Sequence, residues 1–320
     1  MSRRVPMLAL LAASMSSAPS WAQQTPPPLT FGTSVEAVYV DVFVTNGGQP
    51  VTGLTASAFE LRDLGAVRPV ELVAVETLPL TALLAFDTSS SVEGAKLAAL
   101  RRASEAFLDG LRPEDEIGIV AFSHEVRWLA RPTQNRDAVR RALAACRARG
   151  GTSLWDGLHA ALGLLPPQVR SLVVIFTDGE DNMSWLDERQ VKAAAQRSNA
   201  VIHAVGLRPE ELPPQPAPFL RGSPVPSAAS PVPQSPPELE QVRALRQTAE
   251  MTGGRFWTAE SPDRLRQAFA AIVAAMNSRY VLRFEPAAGS APGWHPIQLR
   301  LRGAKGDVRA RAGYFRRSGS

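Results

Sequence analysis

The side chains best suited to chemistry in this chain are a carboxylate and two hydroxyls that follow an apolar run. The run starts at Thr81 and ends at Asp87, and Ser89 and Ser91 follow at alternate positions. Such a run is typical of a buried strand, and open α/β sheets bind ligands beyond the carboxyl ends of their strands. A carboxylate and two hydroxyls offer only hard oxygen ligands, which suits a divalent cation such as Mg²⁺.

Two further segments could bring more oxygen atoms to the same place. Thr152 follows two glycines, which allow a sharp turn before a predicted helix, although its hydroxyl could instead cap that helix. Asp178 ends a second apolar run and precedes a glycine, a pattern that by itself is typical of a turn. Because parallel strands end at one edge of a sheet, we expect five side chains to converge there. They are Asp87, Ser89, Ser91, Thr152 and Asp178.

The elements that must position these residues alternate between strands and helices from Thr81 onward. This alternation predicts an α/β fold, a doubly wound and mainly parallel sheet with helices on both faces. The predicted strands are 81–86, 116–122, 171–177, 200–206 and 255–258. The predicted helices are 92–110, 135–148, 154–165, 187–198, 238–252 and 262–278, with start signals at Asp187 and at Pro262 after Ser261.

The segments on either side of this unit have β character. Residues 34–44 alternate between apolar and polar side chains, and so do 297–302 and 308–315 near the other end. Each flank is too small to be stable alone. We therefore expect a β segment at 31–76 to pair with one at 280–316 in a small all-β domain, into which the α/β unit, 78–279, is inserted.

The first 22 residues have the features of a secretory signal peptide. Two arginines precede a short apolar run, 5–13, and 20–22 has the small-x-small pattern of a cleavage site. The run is too short to span a bilayer, and an N-terminal anchor is the alternative. We expect an exported protein, periplasmic or secreted, with no transmembrane segment after removal of 1–22. Residues 23–30 and the proline-rich segment 209–237 are predicted to be flexible and disordered, respectively.

The composition is that of an ordinary globular protein, with 45% hydrophobic and 20% charged residues and a formal net charge of +5. The positive charge comes mostly from scattered arginines without a dense basic stretch, so we expect no nucleic-acid partner. The one cysteine, Cys146, cannot form an intramolecular disulfide and is predicted to be a small buried apolar residue.

The combined pattern, Asp-x-Ser-x-Ser followed by Thr and then Asp, resembles the metal-ion-dependent adhesion site of the von Willebrand factor type A (VWA) family. The resemblance covers about 81–278. The flanking sequences at 38–45, 51–54, 59–61, 280–284 and 308–315 resemble those of exported bacterial VWFA-related proteins.

The resemblance implies a VWA fold and a binding module. In the family the metal keeps an incomplete coordination sphere, which an acidic side chain of a protein partner completes. Part of the ligand set binds the metal directly, and the rest acts through water. The resemblance carries these roles to Asp87, Ser89, Ser91, Thr152 and Asp178, with Mg²⁺ as the expected cation and Mn²⁺ or Ca²⁺ as alternatives.

Two other functions remain open. A metal-dependent hydrolase with Asp87 as nucleophile is disfavoured because position 89 is serine, not aspartate, and because no suitable lysine follows next to a strand. The motifs Gly-x-Ser-x-Gly, Ser-x-x-Lys and His-Glu-x-x-His and a phosphate-binding loop are also absent from the sequence. We therefore expect no catalytic residue. Of the four histidines, His203 is predicted to be core and His124 to be exposed, while Glu180 and Asp181 are typical of solvated or helix-start acids. The other alternative is an envelope scaffold stabilised by its metal. The partner and the oligomeric state are not indicated by the sequence.

Overall fold

The computed structural model describes residues 37–73, 79–166, 170–178, 181–207, 240–287 and 290–317. The predicted signal peptide 1–22, the predicted flexible segment 23–30 and the predicted proline-rich loop 209–237 lie outside these residues. Those three assignments therefore stay predictions.

The described part of the chain forms strands at both ends and alternating strands and helices between them. The strands are β1 (Val38–Asn46), β2 (Gln49–Pro50), β3 (Phe59–Asp63), β4 (Ala66–Arg68), β5 (Glu71–Val73), β6 (Leu80–Asp87), β7 (Glu116–Phe122), β8 (Val126–Thr133), β9 (Arg170–Thr177), β10 (Val201–Leu207), β11 (Phe256–Ala259), β12 (Tyr280–Phe284), β13 (Gly293–Leu301), β14 (Asp307–Ala310) and β15 (Gly313–Arg316). The helices are α1 (Ala95–Gly110), α2 (Arg136–Ala145), α3 (Leu154–Gly163), α4 (Glu188–Arg197), α5 (Glu240–Met251) and α6 (Pro262–Asn277).

The central sheet has six strands in the order β11-β10-β9-β6-β7-β8. Neighbouring strands are parallel except for β7 and β8, which are antiparallel. Helices α1, α2 and α6 pack on one face and α3, α4 and α5 on the other. Strand β6 is buried along its whole length because both its faces are covered, which explains its unbroken apolar run. This arrangement confirms the predicted doubly wound α/β fold.

The helix starts follow the local signals in the sequence. The Asp187 side chain accepts the backbone N–H of Gln190, whose side chain accepts the N–H of Asp187 in turn, so α4 begins with a capping box. Ser261 caps α6 through the N–H of Arg264, and Pro262 occupies the first turn.

The two flanks form a pair of antiparallel sheets around one core. One sheet has the order β14-β1-β12-β5, with β2 paired to β1, and the other has the order β15-β13-β3-β4. Strand β1 therefore lies between two strands from the far end of the chain. Apolar side chains from both sheets, among them Val42, Leu61 and Phe284, share a common cluster. The predicted pairing of the N-terminal and C-terminal segments is part of the confirmed fold class, while the domain boundaries stay a prediction.

Besides the short strands β2 and β4, which the sequence pattern did not predict, two strand assignments differ from the sequence prediction. The pattern did not predict β8, which is a half-buried edge strand whose sequence contains two arginines and a proline and does not alternate. Residues 308–315 alternate as one strand but form two, β14 and β15, in different sheets. Between them the Arg311 side chain is buried and donates to the side chain of Asn199 and to the carbonyl of Ser198.

A buried ionic cluster joins the flanking β sheets to the central sheet. Asp41, in β1, accepts a 3.0 Å hydrogen bond from the guanidinium of Arg170 at the start of β9. The guanidinium of Arg279 lies 3.5 Å from the same carboxylate oxygen. The side chains of Arg170 and Arg279 are only 6% and 1% exposed, so Asp41 is the carboxylate that balances two buried cations.

Candidate functional site

Three of the five predicted ligands lie on the segment that leaves β6. Asp87 is fully buried, and its Oδ1 accepts the backbone N–H of Ser89 while its Oδ2 accepts the hydroxyl of Thr177, both at 2.9 Å. The hydroxyls of Ser89 and Ser91 are 2.9 Å apart. Ser89 is buried and Ser91 is exposed, so the pair leads from the carboxylate to the surface.

Main-chain hydrogen bonds tie this segment to the loop before α3. The N–H of Ser90 donates to the carbonyl of Gly150 at 2.9 Å, and the N–H of Arg149 donates to the carbonyl of Thr88 at 2.7 Å. Both bonds join main-chain atoms. They hold the loop that carries Thr152 beside the Asp87 segment.

Thr152 is in turn tied to the segment after β9. Its N–H donates to Oδ1 of Asn182 at 2.9 Å, and its carbonyl accepts the N–H of Asn182 at 3.1 Å and that of Met183 at 3.0 Å. Thr152 is buried. Together with the bond from the Thr177 hydroxyl to Asp87, these contacts link three segments at the carboxyl edge of the sheet. We name them the loop ring: the residues after β6, the loop before α3 and the residues after β9.

Asp178 completes the set of predicted residues. Its Oδ1 is buried and has no hydrogen-bond partner within the described residues. Its Oδ2 lies 3.8 Å from the ammonium of Lys96, which also donates to the carbonyl of Ser91 at 3.0 Å. A buried carboxylate oxygen without a donor is costly unless a cation or water meets it.

The electrostatics of the site also favour a cation. Burial raises the pKa of Asp87 to about 6, hydrogen bonds from Ser89 and Thr177 lower it, and the negative charge of Asp178 raises it. Two carboxylates, two serine hydroxyls and a threonine are hard oxygen donors that fit Mg²⁺. In the described part of the chain, no group of three or more His, Cys, Asp and Glu side chains could hold a metal. Metal binding at this edge of the sheet would therefore need the hydroxyl oxygens of Ser89, Ser91 and Thr152 in addition to the two carboxylates.

The structure adds positioning residues that the sequence prediction missed. Residues 181–187, which we name the clasp loop, are bonded to the start of α3. Asp181 accepts the N–H of Leu154 at 3.0 Å and the hydroxyl of Ser184 at 2.7 Å, and Ser184 Oγ accepts the N–H of Trp155 at 3.0 Å. Asp181 thus accepts a hydrogen bond at a helix start, as the sequence analysis expected of this acid. The helix is α3, however, and the donor Leu154 lies 27 residues earlier in the chain. No local sequence signal marks this partner.

The bonding between the clasp loop and α3 is reciprocal. The two carboxylate oxygens of Asp156, in the first turn of α3, accept the N–H groups of Trp185 and Leu186, both at 3.0 Å. A carboxylate at a helix N-terminus is favoured by the helix dipole, and here it also fixes a loop. Asp156 therefore acts as a positioning residue and not as a candidate ligand.

The histidines lie as the sequence suggests. His203 is buried in β10, where burial lowers its pKa well below the usual value and its Nδ1 accepts the indole N–H of Trp257 at 3.2 Å. His124 is exposed, and its ring lies against Gly150. Among the described residues, neither histidine forms a hydrogen bond with one of the predicted ligands.

Gly150 is a position where the site needs glycine. Its φ is +76°, and a Cβ there would lie 2.1 Å from Nδ1 of His124. Gly150→Ala should therefore lower the free energy of unfolding by at least about 1 kcal/mol, because the left-handed backbone alone costs that much. Urea unfolding measures the effect. Gly163→Ala, at the end of α3, is the control and should cause no loss, because an added Cβ there would meet no described atom within 4 Å. Equal stabilities of the two variants would contradict this account of the loop.

Known proteins are similar in sequence to this region of the chain. Residues 82–180 match the family model of the von Willebrand factor type A domain. The chain is 30% identical over 151 residues to inter-alpha-trypsin inhibitor heavy chain H2 of Mesocricetus auratus, which covers 42% of this chain but 16% of that protein. The chain thus spans about a sixth of that relative's length. It is 24% identical over 259 residues to a UPF0353 protein of Mycobacterium sp. (strain KMS), covering 75% of this chain and 72% of that protein.

A solved structure supports the same assignment at the level of the fold. The von Willebrand factor type A protein from Catenulispora acidiphila superimposes with a TM-score of 0.51 at 15% identity, covering 85% of this chain and 75% of that chain. At this identity the likeness establishes the fold alone. The central sheet with its two helix layers agrees with the family match, and we conclude that residues 82–180 of this chain belong to a von Willebrand factor type A domain.

Proposed function

We propose that this protein is a binding module that holds a Mg²⁺-type cation at the carboxyl edge of its central sheet and binds an acidic side chain of a protein partner there. The observation that carries the proposal is the buried Oδ1 of Asp178, which has no hydrogen-bond partner in the described residues and lies in the loop ring of Asp87. The residues that would hold the cation are Asp87, Ser89, Ser91, Thr152 and Asp178.

Each of these residues has a distinct task in the proposal. Asp87 and Asp178 supply the negative charge that balances a dication, and the hydroxyls supply neutral oxygens. Thr177 and the N–H of Ser89 hold the Asp87 carboxylate in one orientation. When bound, the cation would supply an incompletely coordinated centre for a carboxylate from outside. Ser91 is exposed, which supports access from that side.

Export and the absence of catalysis belong to the same proposal. The pattern of 1–22 supports export to the periplasm or the medium. No helix among the described residues has the length and apolar character needed to cross a bilayer. The domain boundaries proposed for the exported chain are a β segment at 31–76, a VWA domain at 78–279 and a second β segment at 280–316.

A metal titration of the full chain tests the first half of the proposal. Mg²⁺ or Mn²⁺ should raise the melting temperature, and excess EDTA should reverse the rise, because a ligand of the folded state alone stabilises by RT ln(1 + [L]/Kd). Calorimetry at the same metal concentrations gives the affinity. A chain that binds neither metal at millimolar concentration would contradict the proposed site.

A peptide selection tests the second half and separates the three functions. A random heptapeptide display library is bound to the full chain in Mg²⁺ and eluted with EDTA. Enrichment of Asp or Glu in the eluate supports the binding module. Metal-dependent stabilisation without such enrichment supports the scaffold instead. Metal-dependent hydrolysis of a phosphate ester or a peptide by the same preparation supports the hydrolase.

A further inference from the structure

The clasp loop carries two large apolar side chains that the described structure leaves exposed. Trp185 is 94% exposed and Met183 is 49% exposed. The other exposed large apolar side chains in the described residues are Tyr39, Leu64, Val67 and Leu72, and all of them lie in the strands of the flanking β sheets or in the turn between β3 and β4. Within the described part of the α/β unit, exposure of this kind is therefore confined to the loop beside the candidate site.

The clasp loop is held in place although its side chains project into solvent. Its backbone N–H groups at Trp185 and Leu186 are bound by Asp156, and those at Asn182 and Met183 are bound by the Thr152 carbonyl. A side chain on a fixed backbone loses less conformational entropy when a partner binds it. Tryptophan is also one of the residue types enriched among those that carry most of the binding energy at protein interfaces.

Met183 is directly linked to a proposed metal ligand. Its N–H donates to the carbonyl of Thr152, and a Cβ on Gly151 would lie 2.7 Å from its Cγ. An extended peptide advances about 3.3–3.6 Å per residue. A partner segment whose acidic side chain reaches the cation would thus place its next few residues within reach of this loop. The ammonium of Lys96 beside Asp178 adds positive charge that suits an acidic segment.

We infer that Trp185 and Met183 form the apolar half of the partner site, and that the partner is a protein segment with an aromatic or aliphatic residue within three positions of its metal-binding Asp or Glu. This inference rests on the proposed function. It adds that the acidic residue is recognised together with an apolar neighbour, and that the clasp loop sets this preference.

The test repeats the EDTA-eluted heptapeptide selection on the full-length Trp185→Ala variant. The wild-type chain should enrich peptides in which Asp or Glu lies within three positions of Leu, Ile, Phe or Trp. The variant should keep the acidic residue and lose the apolar preference. A synthetic peptide from the wild-type selection should bind the variant about tenfold more weakly by fluorescence anisotropy, while the Mn²⁺ affinity measured by calorimetry stays unchanged. Tyr39→Ala, in β1, is the control for loss of an exposed aromatic ring and should change none of these values.

The outcomes separate this inference from the proposed function. If the wild-type selection enriches acidic peptides without an apolar neighbour, or if Trp185→Ala keeps the same apolar preference, the inference fails and the proposed function stands. If no acidic residue is enriched, the proposed function fails and the inference falls with it. If Trp185→Ala abolishes a concentration-dependent dimer of the free chain seen by sedimentation and leaves peptide affinity within twofold, the loop binds a second copy and the inference is overturned.

Discussion

Asp87→Ala is expected to abolish the binding of Mg²⁺ and Mn²⁺. Asp87 is fully buried, sits at the end of the central strand and is held by Thr177 and Ser89, so no other described carboxylate is placed to replace it. Loss of residues that only support a metal ligand typically costs 10–100-fold in affinity, so loss of a direct ligand should exceed about 100-fold. Isothermal titration calorimetry at pH 7.5 measures the change. Unchanged affinity in this variant would refute the site assignment.

Asp87→Asn separates the charge from the packing. The amide oxygen still accepts the Ser89 N–H, and the amide nitrogen can donate to the Thr177 hydroxyl, so the loop geometry is retained. The variant should lose cation binding like Asp87→Ala. Without metal it should unfold at the same temperature as the wild type or higher, because the buried carboxylate beside Asp178, whose pKa burial raises to about 6, has been neutralised.

The control for both variants is a carboxylate away from the sheet edge. Asp109 ends α1 on the surface, where its side chain is 67% exposed and pairs with Arg140. Asp109→Ala should leave the cation affinity unchanged. A similar loss of affinity in this control would indicate that net charge, and not the loop ring, governs cation binding.

The positions of Asp87 and Asp178 at the carboxyl ends of β6 and β9 could be predicted from the sequence, because both follow from the burial of parallel strands. Parallel strands that are buried on both faces are mostly apolar, and the first charged residue after the apolar run marks where each strand leaves the core. Asp87 and Asp178 are such residues, and their strands β6 and β9 are neighbours. Sequence alone therefore indicated that they share an edge, and the structure places them close enough for the charge of Asp178 to shift the pKa of Asp87.

The parts of the site that sequence did not reveal depend on contacts between distant segments. Asp156 looks like an ordinary first-turn acid of a helix, yet its partners are the N–H groups of Trp185 and Leu186, 29 and 30 residues later. Ser184 likewise accepts from Trp155. Nothing in the local pattern distinguishes such residues from solvated ones, because their hydrogen-bond partners are chosen by the tertiary fold. The edge strand β8 was missed for a related reason, since its pairing with β7 compensates for a weak local preference.

Asp41→Ala is expected to cause the largest loss of stability outside the site. The substitution leaves the guanidiniums of Arg170 and Arg279 buried without the carboxylate that balances them. Removing one partner of a buried ion pair typically costs about 3–5 kcal/mol. Urea unfolding of the full chain at pH 7 measures the free energy. The control is Glu71→Ala, which breaks the exposed pair with Arg283 and should cost less than about 1 kcal/mol.

The same cluster should make stability depend on pH with a defined sign. Burial raises the pKa of Asp41, but the charges of Arg279 and Arg170 and their hydrogen bonds lower it by more, so its pKa in the folded chain lies below the usual value near 4. A carboxylate with a depressed pKa stabilises the fold above its unfolded pKa, and the contribution is lost as the pH falls through the folded value.

Asp41→Asn isolates this contribution, because the amide oxygen can still accept the hydrogen bond of Arg170 while the charge is gone. The difference in unfolding free energy between the wild type and Asp41→Asn should be full at pH 7 and shrink steadily below about pH 4, as the wild-type carboxylate becomes protonated. Urea unfolding at several pH values from 7 to 3 measures it. If the difference stays constant over this range, Asp41 stabilises the contact between the flanking sheets and the central sheet by packing and hydrogen bonding. Its charge would then not balance the two arginines.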